Sequence, residues 1–165
     1  MPLSADALRD HIEYSSWASR RLVDAAAGLS PEELTRDFGS SEHSVIGTLA
    51  HVYAGDRVWL SRFDGSPFTV FISDADRDLA VLQRDWPALY DRWRAWARGL
   101  TDESALAVLD YRDLKGNPWR HPTWQVVLHV VNHGTHHRGQ VSGFLRALGR
   151  TPPPIDLIAY YREVG

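Results

Sequence analysis

The chain has 165 residues, 44% of them apolar and 24% charged, with a formal net charge of −3 and no cysteine. That length buries a sizeable core without staples and fits one domain over residues 1–165. Without cysteine the chain offers no disulfide, thiolate zinc site or cysteine nucleophile, and without a basic stripe it lacks the footprint of a nucleic-acid binder.

The opening "MPLSADALRD" has no basic region followed by an apolar core, so it does not read as a signal peptide. No run approaches the roughly eighteen apolar residues that cross a bilayer. A cytoplasmic protein without membrane or nucleic-acid partners is expected.

Leu8, Ile12, Ser15, Ser19, Leu22 and Ala26 recur at alternating spacings of four and three, which predicts a helix near 5–27. Ser4 serves as its N-cap and Gly28 as its stop. "SPEE" then carries a capping box, Ser30 with Glu33, and Pro31 at the first helical position, for one short turn of helix. A second long helix near 44–63 shows two adjacent apolar stripes, Ile46, Leu49, Tyr53, Asp56, Leu60 and Phe63 beside Val45, Thr48, Val52, Gly55 and Trp59. Such a helix is buried over much of its girth.

"DGSPFTVFISDAD" breaks the pattern with a turn at Asp64-Gly65 and Pro67, and is expected to carry the chain across the bundle. A third helix near 74–100 follows Leu79, Leu82, Trp86, Leu89, Trp93, Ala97 and Leu100, with a kink at Pro87. Short alternation around Val108 and Tyr111 with a turn at Lys115-Gly116-Asn117 predicts a small β-hairpin. Thr123 caps a fourth helix, near 123–148, that stops at Gly149; "RTPPP" ends helical structure and "IDLIAYYRE" packs back. Four long amphipathic helices predict an all-α four-helix bundle.

Four of the eight histidines fall between residues 129 and 137. The apolar stripe of the fourth helix, Val126, Val130, Val141, Phe144 and Leu148, passes through His133 and His137. Two imidazoles four apart lie one turn above the other and face the same way. A buried imidazole carries a donor and an acceptor that both need partners, and a divalent cation satisfies two acceptors at once. His129 and His133 share the same spacing, so the motif alone leaves the pair open. A polar helix surface that happens to be rich in imidazole is the competing explanation, but a polar patch inside an apolar stripe fits it poorly.

Zinc-type sites with chemistry to perform use three protein ligands and keep one position open. His51, His11, His43 and His121 are the candidates for the third. His51 sits beside Val52 and Thr48 on a buried stripe, with Gly55 one turn on leaving room, whereas His11 lies among charged residues and looks solvated. His51 is the physical choice.

"NHGTHHRGQV" at 132–141 and "GTLAHVYAGDRVWLSRFDG" at 47–65 resemble the DinB family (DinB/YfiT-like bacterial metalloenzymes, a DNA damage-inducible family by name). "YSSWASRRL" at 14–22 and "PPIDLIAYYR" at 153–162 look like its opening and closing signatures, so the resemblance runs along nearly the whole chain. It implies a four-helix bundle with a long crossover connection, a homodimer, and a divalent metal (Zn, Ni, Mn or Fe) on His51, His133 and His137. Asp56 stands where relatives often carry Glu, and the Pro87 interruption is less typical of the family.

Three neutral imidazoles leave a dication its full charge, enough to lower the pKa of a coordinated water towards ~7 or to polarise a carbonyl. With no cysteine and no H-E-x-x-H glutamate in the chain, the nucleophile is expected to be water or an exogenous low-molecular-weight thiol. Thiol-using S-transferases and isomerases among relatives of the family fit this expectation by analogy. His129, Asn132, Thr135 and Gln140 are candidates to orient ligands or substrate, and His136 is a candidate proton shuttle. Arg138 reads as a structural ion pair or dimer contact. The expected function is metal-dependent transfer or hydrolysis on a small-molecule substrate; the alternative is a non-catalytic metal-binding protein of stress response or interaction.

Overall fold

The structure is a computed structural model and describes residues 2–66 and 71–165. Pro67, expected in the turn after the second long helix, lies outside them. The described residues form α1 (Ala5–Ala26), α2 (Pro31–Thr35), α3 (Val45–Asp64), a 3-10 turn (Asp74–Arg77), α4 (Leu79–Ala97), α5 (Asp102–Leu106), β1 (Val108–Arg112), β2 (Pro118–Pro122), α6 (Thr123–Ala147) and α7 (Leu157–Val164). The fold is thus mostly helical with one small antiparallel hairpin, as the sequence predicts.

Local chemistry accounts for most of the boundaries. Ser4 caps α1 by accepting from the Ala7 amide, and Ser30 and Glu33 form the capping box of α2. Gly65 ends α3 with φ 69°, a left-handed conformation that glycine adopts without a Cβ penalty. The hairpin pairs Leu109 with His121 and Tyr111 with Trp119, and Gly116 turns it at φ 87°.

Three boundaries differ from expectation. The third helix does not begin at Asp74. The Asp76 carboxylate accepts from the Ser73 amide and from Arg57, closing a separate 3-10 turn, and Asp78 restarts the chain by capping α4 at Ala80. Helix α4 then continues through Pro87 and ends at Ala97, and Thr101 caps the short α5, an element the sequence reading did not separate. Thr123 does not cap α6 either. Strand β2 runs straight into the helix, Pro122 occupies the cap position, and the Thr123 hydroxyl donates to the Ala107 carbonyl.

The four long helices enclose one core in which Leu8, Leu22, Leu49, Leu60 and Leu82 are wholly buried. Truncating any of these to alanine costs about 2–5 kcal/mol. Both α1 and α3 pack against α4 and α6, while α1 and α3 barely meet. The first two long helices therefore sit diagonally across the core, joined by residues 27–44. The chain crosses the core there, and again between α4 and α6 by way of α5 and the hairpin. It does not cross between α3 and α4, where the sequence reading put the crossing, because those helices are neighbours. The C-terminal α7 lays Tyr160 edge-on against Tyr14 and Trp17, closing a small second cluster on α1.

Candidate metal centre

The contact between α3 and α6 brings together residues far apart in sequence. His51 on α3 and His133 and His137 on α6 each offer a ring nitrogen, and these atoms all lie within 4.8 Å of one another. It is the one such group of three among the described residues. His51 Nε2 stands 3.0 Å from His133 Nε2. Two nitrogens bound ~2.0–2.1 Å from one tetrahedral ion lie roughly 3.3 Å apart, so a small outward adjustment of a few tenths of an ångström separates this pair from ligation.

The outer nitrogens fix which atoms face inward. His137 Nδ1 lies 2.7 Å from Gln140 Oε1, an acceptor, so it donates there and leaves Nε2 with its lone pair. The Glu42 carboxylate stands 3.4 Å from His51 Nδ1, favouring a proton on that nitrogen and a lone pair on Nε2. Partners of this kind orient ligating imidazoles and raise their basicity. A Cβ on Gly55 would meet His133 Cε1 at 3.1 Å and Nδ1 at 3.3 Å. The room provided by Gly55 therefore serves His133 rather than His51.

Electrostatics favour the neutral, ligating form of two of the rings. Burial pushes the His133 pKa down to about 3, and the surrounding imidazoles push the same way. Burial likewise lowers His51; Glu42 opposes the shift and His137 adds to it. The donor set thus suits a divalent cation: three imidazole nitrogens, two of them on rings oriented by outer partners, and no carboxylate among the three.

Glu42 is a site residue the sequence reading missed. It reaches His51 because the loop before α3 folds back onto the helix's first turn, where the Glu42 carbonyl approaches Gly47 so closely that a Cβ there would collide with it. His43, at φ 61°, makes the bend in a conformation that few non-glycine residues adopt. No short spacing in the sequence signals this. His11 Nδ1 donates to the Ala7 carbonyl of its own helix, and His121 meets the Tyr111 hydroxyl. His43 lies beside Asp37, so none of these three joins the group.

Of the candidates around the site, Gln140 touches His137 and the His129 ring lies 6.0 Å from that of His133. His136 is exposed, with its ring 4.9 Å from that of His137. The Thr135 hydroxyl bonds instead to the Val131 carbonyl and to Arg138. With Asn132 it lines an open groove of about 1010 Å³ between α1, α6 and the proline-rich segment. None of the three grouped histidines lines that groove.

Arg138 corrects a reading. It is wholly buried, hence no surface contact, and it has no carboxylate within ion-pair distance among the described residues. Its guanidinium donates to Ser15 Oγ at 3.0 Å and Ser19 Oγ at 3.1 Å. Gly134 gives it space, since a Cβ there would stand 2.8 Å from Nη1. Across the same core, the Asp56 carboxylate accepts from Tyr90 Oη at 2.8 Å and Trp86 Nε1 at 2.9 Å. Burial raises its pKa to about 6 despite those bonds and the field of Arg138.

Beside the histidines lies a cavity of about 260 Å³ lined by Gly55, Trp59, Arg62, Tyr111, His129 and His133, among others. Of the three grouped histidines, His133 is the one that lines it.

Fold and histidine group together define a helical protein able to hold a divalent ion between two of its long helices. The model of the DinB family matches residues 1–163, and the chain belongs to that family. It is 24% identical over 156 residues to Protein DinB of Bacillus subtilis (strain 168), covering 90% of each chain. Its fold is like that of a crystallised DinB-like protein from Bacillus cereus ATCC 10987, with a TM-score of 0.60 at 18% identity over 93% of this chain and 99% of that one.

Proposed function

We propose that the protein is a metal-dependent enzyme that binds a divalent cation through His51, His133 and His137 and carries out thiol-dependent transfer or hydrolysis on a small molecule. The observation that carries this reading is the convergence of three ring nitrogens within 4.8 Å, at the edge of a cavity. A bound dication would supply Lewis acidity there, activating water or a thiol and polarising an electrophile. Burial holds the His51 and His133 rings towards their neutral form, while Glu42 and Gln140 aim the lone pairs of His51 and His137. The reading includes a cytoplasmic homodimer that acts without nucleic acid.

The test is metal titration of the chelator-stripped protein with zinc and cobalt(II), followed by small thiols. One equivalent of metal should bind, and His51→Ala, His133→Ala and His137→Ala should each abolish it while His11→Ala leaves it intact. In the cobalt protein, added thiol should produce a saturable charge-transfer absorption. With no cysteine in the chain, that band has no internal source. A thiol-silent cobalt protein that hydrolyses esters or amides would select the hydrolase branch. A metal-binding protein with neither property would overturn the enzymatic reading in favour of non-catalytic metal binding.

A further inference from the structure

The cavity beside the histidines has two chemically distinct ends. His133 and Gly55 form one, and Arg62 lies seven residues further along α3 from Gly55, roughly 10 Å up the helix axis. Helical side chains lean towards the N-terminus, so Arg62 leans back over the cavity towards the histidines. Its guanidinium carbon stands 4.1 Å from the Trp59 ring centre and 5.0 Å from that of Tyr111. Those two rings meet edge to face at 5.0 Å, and the arginine occupies the corner they make.

Arg62 has no carboxylate within ion-pair distance among the described residues, unlike Arg9, Arg57, Arg92, Arg94 and Arg150. One Nη2 proton goes to the Arg112 carbonyl at 2.9 Å. That bond and the aromatic corner hold the guanidinium in place while leaving most of its five donors uncommitted. The cavity's own carboxylate, Asp113, does not serve as the partner. It accepts from the Lys115 and Asn117 amides, Asn117 Nδ2 and Trp119 Nε1, all at 2.8–3.0 Å, and so belongs to the hairpin turn. The walls between the two ends are flat and apolar: Trp59, Tyr111, Trp119 and Val58.

We infer that this cavity is the substrate site and that it selects small carboxylic acids with a flat apolar body. Arg62 receives the carboxylate as a planar fork, and the reacting end of the molecule faces His133. The pairing follows from donor geometry, since a guanidinium matches a carboxylate through two parallel hydrogen bonds. A cavity of about 260 Å³ restricts the class to small molecules. This inference deepens the proposed enzymatic reading by naming its substrate class, and it rests on that reading for the role of His133. The binding preference itself does not require the metal.

The experiment compares phenylacetate with its uncharged counterpart phenylacetamide, followed through the indole N–H signals of Trp59 and Trp119 in nitrogen-15 NMR spectra. Both zinc-free and zinc-loaded protein are titrated, and metal content is measured separately. Phenylacetate should shift both indole signals saturably and bind about tenfold more tightly than the amide in the zinc-free protein. Arg62→Gln should remove that preference, and Arg62→Lys should keep part of it. Equal binding of acid and amide, an undiminished preference in Arg62→Gln, or no saturable shift in either form of the protein would overturn the inference. The acid–amide comparison needs no variant, so poor folding of Arg62→Gln would not shield it. A protein that prefers the acid yet binds no zinc would instead refute the metal reading and leave this one standing.

Discussion

Asp56→Asn should stabilise the protein relative to the wild type more at neutral pH than in mild acid. The carboxyl lies wholly inside the core, where burial raises its pKa from 3.8 to about 6. The folded state therefore holds a proton that the unfolded chain has already lost. Between those two values stability falls as pH rises; the contribution is fully present below 3.8 and fully lost above about 6. The difference of roughly two pH units corresponds to about 3 kcal/mol at ~1.36 kcal/mol per unit. Asparagine keeps the shape and one oxygen to accept from Trp86 and Tyr90, but it does not titrate. From about pH 7.5 to about pH 5 the wild type should gain about 1.4 kcal/mol relative to the variant, roughly half of the whole effect. Urea unfolding of both proteins at a series of pH values, with chelator throughout, measures this gap. Protonation of the histidines affects both proteins and cancels in the difference. A gap that stays constant across this range would refute the claim that burial governs Asp56.

Gln140→Ala and Glu42→Gln should each weaken metal binding about 10–100-fold by isothermal titration, because they release rings that ligate rather than remove ligands. Gly55→Ala places a methyl 3.1 Å from His133 Cε1, so it should lower metal affinity with an unchanged circular dichroism spectrum. Gly134→Ala meets the buried Arg138 guanidinium, which has nowhere to retreat, and should destabilise the fold by roughly 1–3 kcal/mol in urea. The His133 pKa is depressed to about 3, so its contribution to stability is present above ~6.5 and is lost as pH falls towards 3. Histidine C–H chemical shifts followed by NMR in the metal-free protein should show this ring neutral at pH 5.

What the sequence reveals and what it hides follow from the range of the interactions. The apolar period of the last long helix runs through His133 and His137, and that of the second through Asp56, so their orientation was legible from spacing alone. His51 was legible because a lone imidazole on a doubly apolar helix needs a partner. Glu42 was not, since its approach depends on a backbone fold at Gly47 and a left-handed His43. Arg138 misled because arginine is rarely buried whole, and the allowance that Gly134 makes for it appears only once the side chain's course is known. Amphipathic periods give each helix its inward face but not its neighbours, and so the diagonal placement of α1 and α3 was beyond their reach. The Thr123 boundary failed for a similar reason, because the Ala107 carbonyl that takes its hydroxyl lies across the hairpin.

His51 and His133 stand 82 positions apart along the chain, yet their nitrogens meet at 3.0 Å. An ion gripping both would clasp a loop spanning half the protein, and tying the ends of so long a loop removes much of the freedom of the unfolded chain. Metal occupancy and unfolding would then be mechanically linked through the α3–α6 seam. Prying that seam apart at either helix breaks the clasp, and losing the ion loosens the seam. Ion release should accordingly follow the opening of the seam, and kinetic resistance to chelators would become a gauge of how often the two helices part.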